Sequence, residues 1–360
     1  MKHALRLIVS ILVILFIVHL FQRPPQPMAA PREEVWLVMG TVASLRVPAT
    51  EREHFPEMLQ IAKDTFATVN TKLSMYQPES ELARLQQNGY LDPISPLTHA
   101  FLKTAIEMTA RADGFFDPTL LPVIQLWGFS GGKTPTNLPT SQQISTALHR
   151  PRLSDLQLSA TEARYAAKPA PIDPGGIAKG FALDLAFDKI QEVFPASHFL
   201  LNLGGEMRAK GMAETDRRPW RIGIQHPFEK QATIGRINMP HNFAVATSGH
   251  YERFFYINGE RYAHILDPAT GWPAKGMAGV TVLSPSSTEA DVLSTALFVA
   301  GLENASKLLN AFPASEALLI PDREPITLYV TPGLQKWFEP LPPFQNRIKI
   351  IPENFPTPYE

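Results

Sequence analysis

An α+β fold, with mixed and antiparallel sheets against packed helices, is what this sequence predicts. Alternating apolar runs of strand type sit among separated helical stretches, without a regular strand–helix–strand winding. Asn258-Gly259 lies between two such runs, the pattern of a two-residue hairpin. Proline supplies 34 of 360 residues, about twice its average usage, which favours rigid connections and strand ends over a helical bundle. With 44% hydrophobic and 19% charged residues the chain is long enough for one large or two ordinary globular domains. Its 33 basic and 34 acidic side chains nearly cancel, so nothing suggests a general nucleic-acid binder. Cysteine is absent, which excludes disulfides, thiolate metal sites, a cysteine nucleophile and a cysteine-linked lipid anchor.

Lys2 and Arg6 precede an apolar run from Leu7 to Leu20, which Gln22-Arg-Pro-Pro ends. That is the charged start and hydrophobic stretch of an export signal. The run is short for a spanning helix, which needs about twenty residues, so cleavage and retention as an anchor both stay open. Residues 1–30 are expected to be a signal peptide or N-terminal membrane anchor, and the remainder to sit on the periplasmic side of the inner membrane.

Residues 34–47 alternate as a strand, with a bulge or ligand approach at Met39-Gly-Thr41. Residues 54–73 read as a helix, Ser80 as the cap of a short helix holding Leu82 and Leu85, and residues 95–112 as another helix, stopped by Asp113-Gly114. Phe115-Phe-Asp-Pro with Leu126-Trp-Gly-Phe is an aromatic loop region, fit to stack a planar ring or simply to pack. Residues 133–151, rich in Pro, Thr and Ser, read as a surface insertion. Residues 199–211 give two strands around a glycine break, residues 220–225 another, and residues 253–265 the hairpin, with His264 on its returning strand. A turn at residues 267–273, a strand at 279–283 and a helix at 288–312 follow. The Pro-rich tail, residues 341–360, reads as an irregular surface wrap.

The central stretch is Pro171-Ile-Asp-Pro-Gly-Gly-Ile-Ala-Lys-Gly-Phe-Ala-Leu-Asp184, a broken loop running into apolar positions Ile177, Phe181 and Leu185 at helical spacing. Gly175 and Gly176 let backbone N–H groups approach an anion, the helix start favours negative charge, and Lys179 adds a cation, a seat suited to a diphosphate. The plainer reading is a chain turn and a solvated lysine. Further on, Asp291 and Thr295 fall on one helix face with Ser294 beside them, hard oxygen groups of the kind that hold magnesium together with water and phosphate oxygens. Thr288 with Asp291 also reads as a helix capping box. His264, one of 10 histidines, lies near Thr247-Ser-Gly249 and Asp267-Pro-Ala-Thr-Gly271, where a neutral imidazole serves as a base for a hydroxyl or merely packs. No Gly-x-Ser-x-Gly elbow, Walker loop or His-Glu-x-x-His motif occurs.

Taken in series, Met39-Gly-Thr41, Ser74-Met-Tyr76 with Ser80-Glu81, Asp113-Gly-Phe-Phe-Asp117, residues 172–180, Asn202-Leu-Gly-Gly205, Ala246-Thr-Ser-Gly249, His264-Ile-Leu-Asp-Pro268 with Thr270-Gly271, and Ala290-Asp-Val-Leu-Ser-Thr-Ala296 resemble the FAD:protein FMN transferases, the ApbE-like flavin transferase family. The resemblance implies an ApbE-like fold with an FAD cleft between two lobes, and a flavin transferase catalytic domain over residues 31–340. It implies a magnesium-dependent enzyme that splits FAD, releases AMP and attaches FMN by a phosphodiester bond to a Thr or Ser of a partner, often a membrane redox subunit. Met39, Tyr76, Phe115, Phe116, Asp117, Asp173, Lys179 and Ile265 would line the FAD site, while Gly176 through its backbone, with Asp291, Ser294 and Thr295, would hold the metal. His264 is the candidate base. A magnesium-dependent FAD pyrophosphatase and a periplasmic flavin-binding protein are the alternatives.

Overall fold

The computed structural model describes residues 30–130, 137–214 and 218–351; the expected export segment and the last residues of the tail lie outside them. In chain order the described residues form strands β1 (Arg32–Val38) and β2 (Thr41–Val47), helices α1 (Phe55–Leu73) and α2 (Glu81–Asn88), strand β3 (Tyr90–Leu91), helices α3 (Pro96–Arg111), α4 (Leu121–Leu126) and α5 (Ser141–Leu148), strands β4 (Leu156–Leu158) and β5 (Ala163–Tyr165), and helix α6 (Ala178–Val193). Strands β6 (Phe199–Leu203), β7 (Glu206–Lys210), β8 (Arg221–Gln225), β9 (Thr233–Asn238), β10 (Ala244–Gly249), β11 (Phe254–Ile257), β12 (Glu260–Ala263) and β13 (Met277–Ser284) follow. Helix α7 (Ser287–Asn310) and strands β14 (Glu316–Pro321), β15 (Leu328–Val330), β16 (Phe338–Pro340) and β17 (Ile348–Ile350) complete the fold.

Nine strands build the main sheet in the order β1-β2-β6-β7-β10-β13-β14-β15-β17, antiparallel at every pairing except the last. Both faces are covered, which is why β13, near its middle, is buried at every position, Thr281 and Ser284 included. On one face α1, α6 and α7 bury Phe66, Phe181, Phe187, Leu293 and Phe298. On the other, a three-stranded sheet of β16, β9 and β8 packs Trp220, Ile222 and Ile237 against Leu318 and Leu328. Helix α7 is long and apolar enough to cross a membrane, but its Val292, Leu293, Leu297 and Phe298 are fully buried, as befits a core helix.

A second lobe gathers α4, α5 and the β11–β12 hairpin around Trp127. Its ring stacks on Phe255 and Tyr262 and meets Trp272 edge-on, and its indole N–H donates to the Gly271 carbonyl at 2.7 Å. The expected hairpin turn is present, with Asn258 and Gly259 at φ 53° and 80°.

Four expectations need correction. Residues 34–47 are two strands, not one with a bulge, because Met39 and Gly40 at φ 52° and 70° form a two-residue turn between β1 and β2. Residues 133–151 are more than an insertion: Thr140 and Gln143 form a capping box and α5 buries Ile144 in the second lobe. The tail is not an irregular wrap up to Ile351, since Phe344 is buried and β17 extends the main sheet beside β15. Finally, Thr288 and Asp291 are not a capping box: Ser286 caps α7 by accepting from the Glu289 N–H.

Candidate functional site

The two lobes meet at a cavity of about 580 Å³. Its walls come from the β1–β2 turn, the end of α1, the loop before α4, the start of α6, the end of β10, the segment after β12, and α7. Met39, Tyr76, Phe115, Phe116, Asp117, Asp173, Gly176, Lys179, His264, Ile265, Asp291 and Thr295 all line it.

The apolar wall is built by close packing. A Cβ on Gly176 would stand 3.0 Å from the Phe116 ring, so the glycine lets that ring press on the loop before α6. Tyr76 stands 74% exposed at the rim, whereas Phe116 and Ile265 are buried. Asp117 is committed elsewhere: one oxygen accepts from the Thr119 N–H and hydroxyl, and the other pairs with Arg150 at 2.8 Å. It shapes the aromatic loop. Asp173 likewise accepts from the Gly175 N–H at 2.8 Å, and burial raises its carboxyl pKa against the pull of that bond, Lys179 and Arg253.

The charged floor lies where the starts of α6 and α7 cross. Gly180 makes the crossing possible, since a Cβ there would sit 2.4 Å from the Ser287 carbonyl oxygen. Its N–H instead donates to Asp291 Oδ2 at 3.1 Å. Lys179 Nζ donates to the Gly175 carbonyl at 2.7 Å, pairs with Glu206 at 2.9 Å and lies 3.7 Å from Asp291. Glu206 is driven well above the usual carboxylate range by burial and by Asp291, with Lys179 pulling the other way. Its Oε2 is buried without a hydrogen-bond partner. Beside this, Ser248 Oγ lies 3.2 Å from Thr295 Oγ1 and 2.9 Å from Ser294 Oγ. Ser294 is buried behind the wall and donates to the Asp291 carbonyl at 2.9 Å, so it braces the groups that face the cavity.

Three oxygen donors, the carboxylate of Asp291 and the hydroxyls of Thr295 and Ser248, therefore converge beside an unsatisfied acidic oxygen. Among the described residues no group of three His, Cys, Asp or Glu forms a closed metal cage. The donor chemistry fits a hard cation that keeps open positions for water or substrate oxygens, and such a charge would relieve the Glu206–Asp291 repulsion.

Across the cavity, His264 is half-buried just past β12. Its Nδ1 lies 3.2 Å from the Arg253 carbonyl oxygen, whose only role can be acceptor, so Nδ1 carries the proton and Nε2 keeps its lone pair. Burial, Arg253 and Lys179 bring its pKa down to about 4 against the effect of that bond, so the ring is neutral at ordinary pH. Glu252, in the loop between β10 and β11 that also carries Arg253, is pushed up to about 7, first by desolvation at the cavity wall, with Lys179 opposing and Asp291 adding repulsion.

The sequence motifs thus converge on one place, with Ser294 set behind it. Glu206, Glu252 and Arg253 were not read from sequence. Glu206 had a signal, following Gly204-Gly205 at the β6–β7 turn; the other two are charged residues in an ordinary loop, and only the fold turns them into the cavity.

The chain is similar in sequence and in fold to known proteins. The FAD:protein FMN transferase of Haemophilus influenzae is 35% identical over 272 residues, 72% of this chain and 76% of that one. That of Vibrio cholerae is 33% identical over 291 residues, 78% of this chain and 86% of that one. A crystal structure of the ApbE protein of Thermotoga maritima superposes with a TM-score of 0.76 at 28% identity, covering 85% of this chain and 99% of that one. The ApbE family model matches residues 39–319, and the chain belongs to the ApbE family.

Proposed function

We propose that this chain is an FAD:protein FMN transferase that cleaves FAD, releases AMP and leaves FMN on a threonine or serine hydroxyl of a partner protein. The observation that carries the reading is the cavity itself, where an aromatic wall for an isoalloxazine ring, an oxygen-donor floor and a neutral imidazole face one space. The acceptor Oγ forms a bond to the FMN phosphorus, the phosphoanhydride bond breaks, and AMP leaves with the bridging oxygen. The hydroxyl proton passes to Nε2 of His264, whose tautomer the Arg253 carbonyl holds. Phe115, Phe116 and Tyr76 supply the flat surfaces for the ring, and the Gly175-Gly176 loop before α6, which carries no side chain, lets the diphosphate approach the backbone closely.

Magnesium fits the floor: Asp291, Thr295 and Gly176 through its backbone would hold it, with Ser294 bracing them, and it would neutralise charge on the phosphate oxygens. The acceptor is proposed to be a redox flavoprotein subunit bearing the threonine or serine, reached outside the inner membrane through the N-terminal export segment. A reporter fused after Pro31 and active only in the cytoplasm would end that placement.

The test of function is incubation with FAD, magnesium and a threonine-bearing acceptor, reading AMP by chromatography and acceptor mass. Equal amounts of AMP and FMN-labelled acceptor are expected. AMP and free FMN without label would make the chain a pyrophosphatase, and tight intact FAD with neither would make it a flavin-binding protein.

A further inference from the structure

Two cations line the cavity, and they stand in opposite situations. Lys179 is already engaged by Glu206, Asp291 and the Gly175 carbonyl, so its positive charge is offset at short range. Arg253 has no carboxylate within ion-pair distance among the described residues. One terminal nitrogen of its guanidinium donates to the Phe129 carbonyl, which among the described residues leaves four of its five N–H donors unspent. The same residue's main-chain carbonyl accepts from both the N–H and the Nδ1–H of His264, at 3.1 and 3.2 Å. Asp173, Glu206, Glu252 and Asp291 also face the space, so a ligand carrying two phosphates meets a floor with an excess of acid groups. A desolvated diphosphate needs an opposing cation with free donors, and a planar guanidinium suits paired phosphate oxygens better than an ammonium.

We infer that Arg253 is the clamp for the diphosphate of FAD: its guanidinium binds the phosphate oxygens while its carbonyl fixes the tautomer of His264, so one residue sets the distance between the phosphorus and the base. This rests on the FAD transferase reading and adds the residue that positions the reacting group. The side chain is held against Phe129, which packs on Phe255 at a ring-centroid distance of 4.8 Å, so the second lobe supports the clamp. A diphosphate held by Arg253 is therefore in contact with the second lobe as well as with the floor.

The experiment compares wild type, Arg253→Ala and Arg253→Lys in binding FAD and riboflavin by flavin fluorescence, and in acceptor labelling. Loss of the clamp should weaken FAD by about 10- to 100-fold while riboflavin, which has no phosphate, binds as before. Arg253→Lys should recover only part of the FAD affinity, because an ammonium lacks the fork. The salt dependence of FAD binding should flatten in Arg253→Ala. Unchanged FAD affinity in Arg253→Ala, or an equal loss for FAD and riboflavin, overturns the proposal, the latter because it would mark a wall defect through Phe129. Failure of the transfer reading shows separately, as wild-type protein that binds FAD and labels no acceptor.

Discussion

Asp184, on α6, accepts hydrogen bonds from both the N–H and the hydroxyl of Thr288, at 3.0 and 2.7 Å, and so caps α7 from a different helix. The Ser286 hydroxyl and the Ser287 N–H add two more donors at 2.8 and 2.7 Å, and Arg208 pairs with the same carboxylate. An anion thus sits at the positive end of the helix that carries Asp291 and Thr295. The cap and the floor of the cavity are one construction.

Asp184→Ala is therefore expected to destabilise the protein by about 2 kcal/mol or more, since it removes a charged cap and the carboxylate partner of Arg208. Urea unfolding of the two proteins measures this. A difference under about 0.5 kcal/mol, the range of ordinary surface changes, would mean the cap contributes nothing of its own.

Replacing Lys179 by Gln leaves Glu206 and Asp291 facing each other without their cation. Glu206 already titrates above its unfolded value, so its ionisation costs stability: the cost is absent below about 4.5 and grows as pH rises towards the folded pKa. The mutant raises that folded pKa further. Thermal melts should show a larger deficit at pH 8 than at pH 5, and a deficit independent of pH would argue that the three groups do not share charge.

Glu252 predicts a pH effect on binding. Its pKa of about 7 means it is mostly neutral at pH 6 and mostly anionic at pH 8, where it repels a diphosphate. FAD affinity of the free enzyme should fall as pH rises through 7, and Glu252→Gln should flatten that dependence. Titrations at pH 6 and 8 decide the matter, with an unaltered slope in the mutant assigning it to another group.

His264→Ala should reduce acceptor labelling by about 10² to 10⁴ with little change in FAD affinity, the range for loss of a general base. With a pKa near 4 in the free protein, His264 is deprotonated from pH 5 to 8, so its own titration should not shape that part of the rate profile. Mutant labelling at the wild-type rate would remove it from the mechanism.

Asp291→Asn keeps an acceptor for the Gly180 N–H but loses the negative charge. A folded protein with a raised magnesium requirement and a large activity loss is expected, read from rates against magnesium concentration. The same magnesium dependence as wild type would restrict Asp291 to holding the α6–α7 crossing.

Much of this was legible in the chain because its causes are local. Asn258-Gly259 specifies a turn by its positive φ angles, Ser80 caps α2 through a bond three residues away, and Gly175-Gly176 before an amphipathic run announces the start of α6. The Met39-Gly40 turn escaped because methionine rarely adopts φ 52°, and here the pairing of β1 with β2 enforces it. The α7 cap was misread because Thr288 turns to Asp184, 104 residues away in the chain, and leaves the local capping bond to Ser286.

By itself, then, the sequence determined the long helices, several strands, the hairpin, the start of α6 and the cavity residues with a spacing signal, because backbone φ preferences and hydrophobic period act over a few residues. Tertiary structure decided which charges meet. That Lys179 is engaged by Glu206 and Asp291, that Arg253 holds His264 through its carbonyl while its guanidinium reaches the Phe129 carbonyl, and that Asp184 caps α7 all depend on contacts between distant segments. Electrostatic partnership falls off over a few ångströms of space, not of chain, and only the packed sheet and helices bring those groups within that distance.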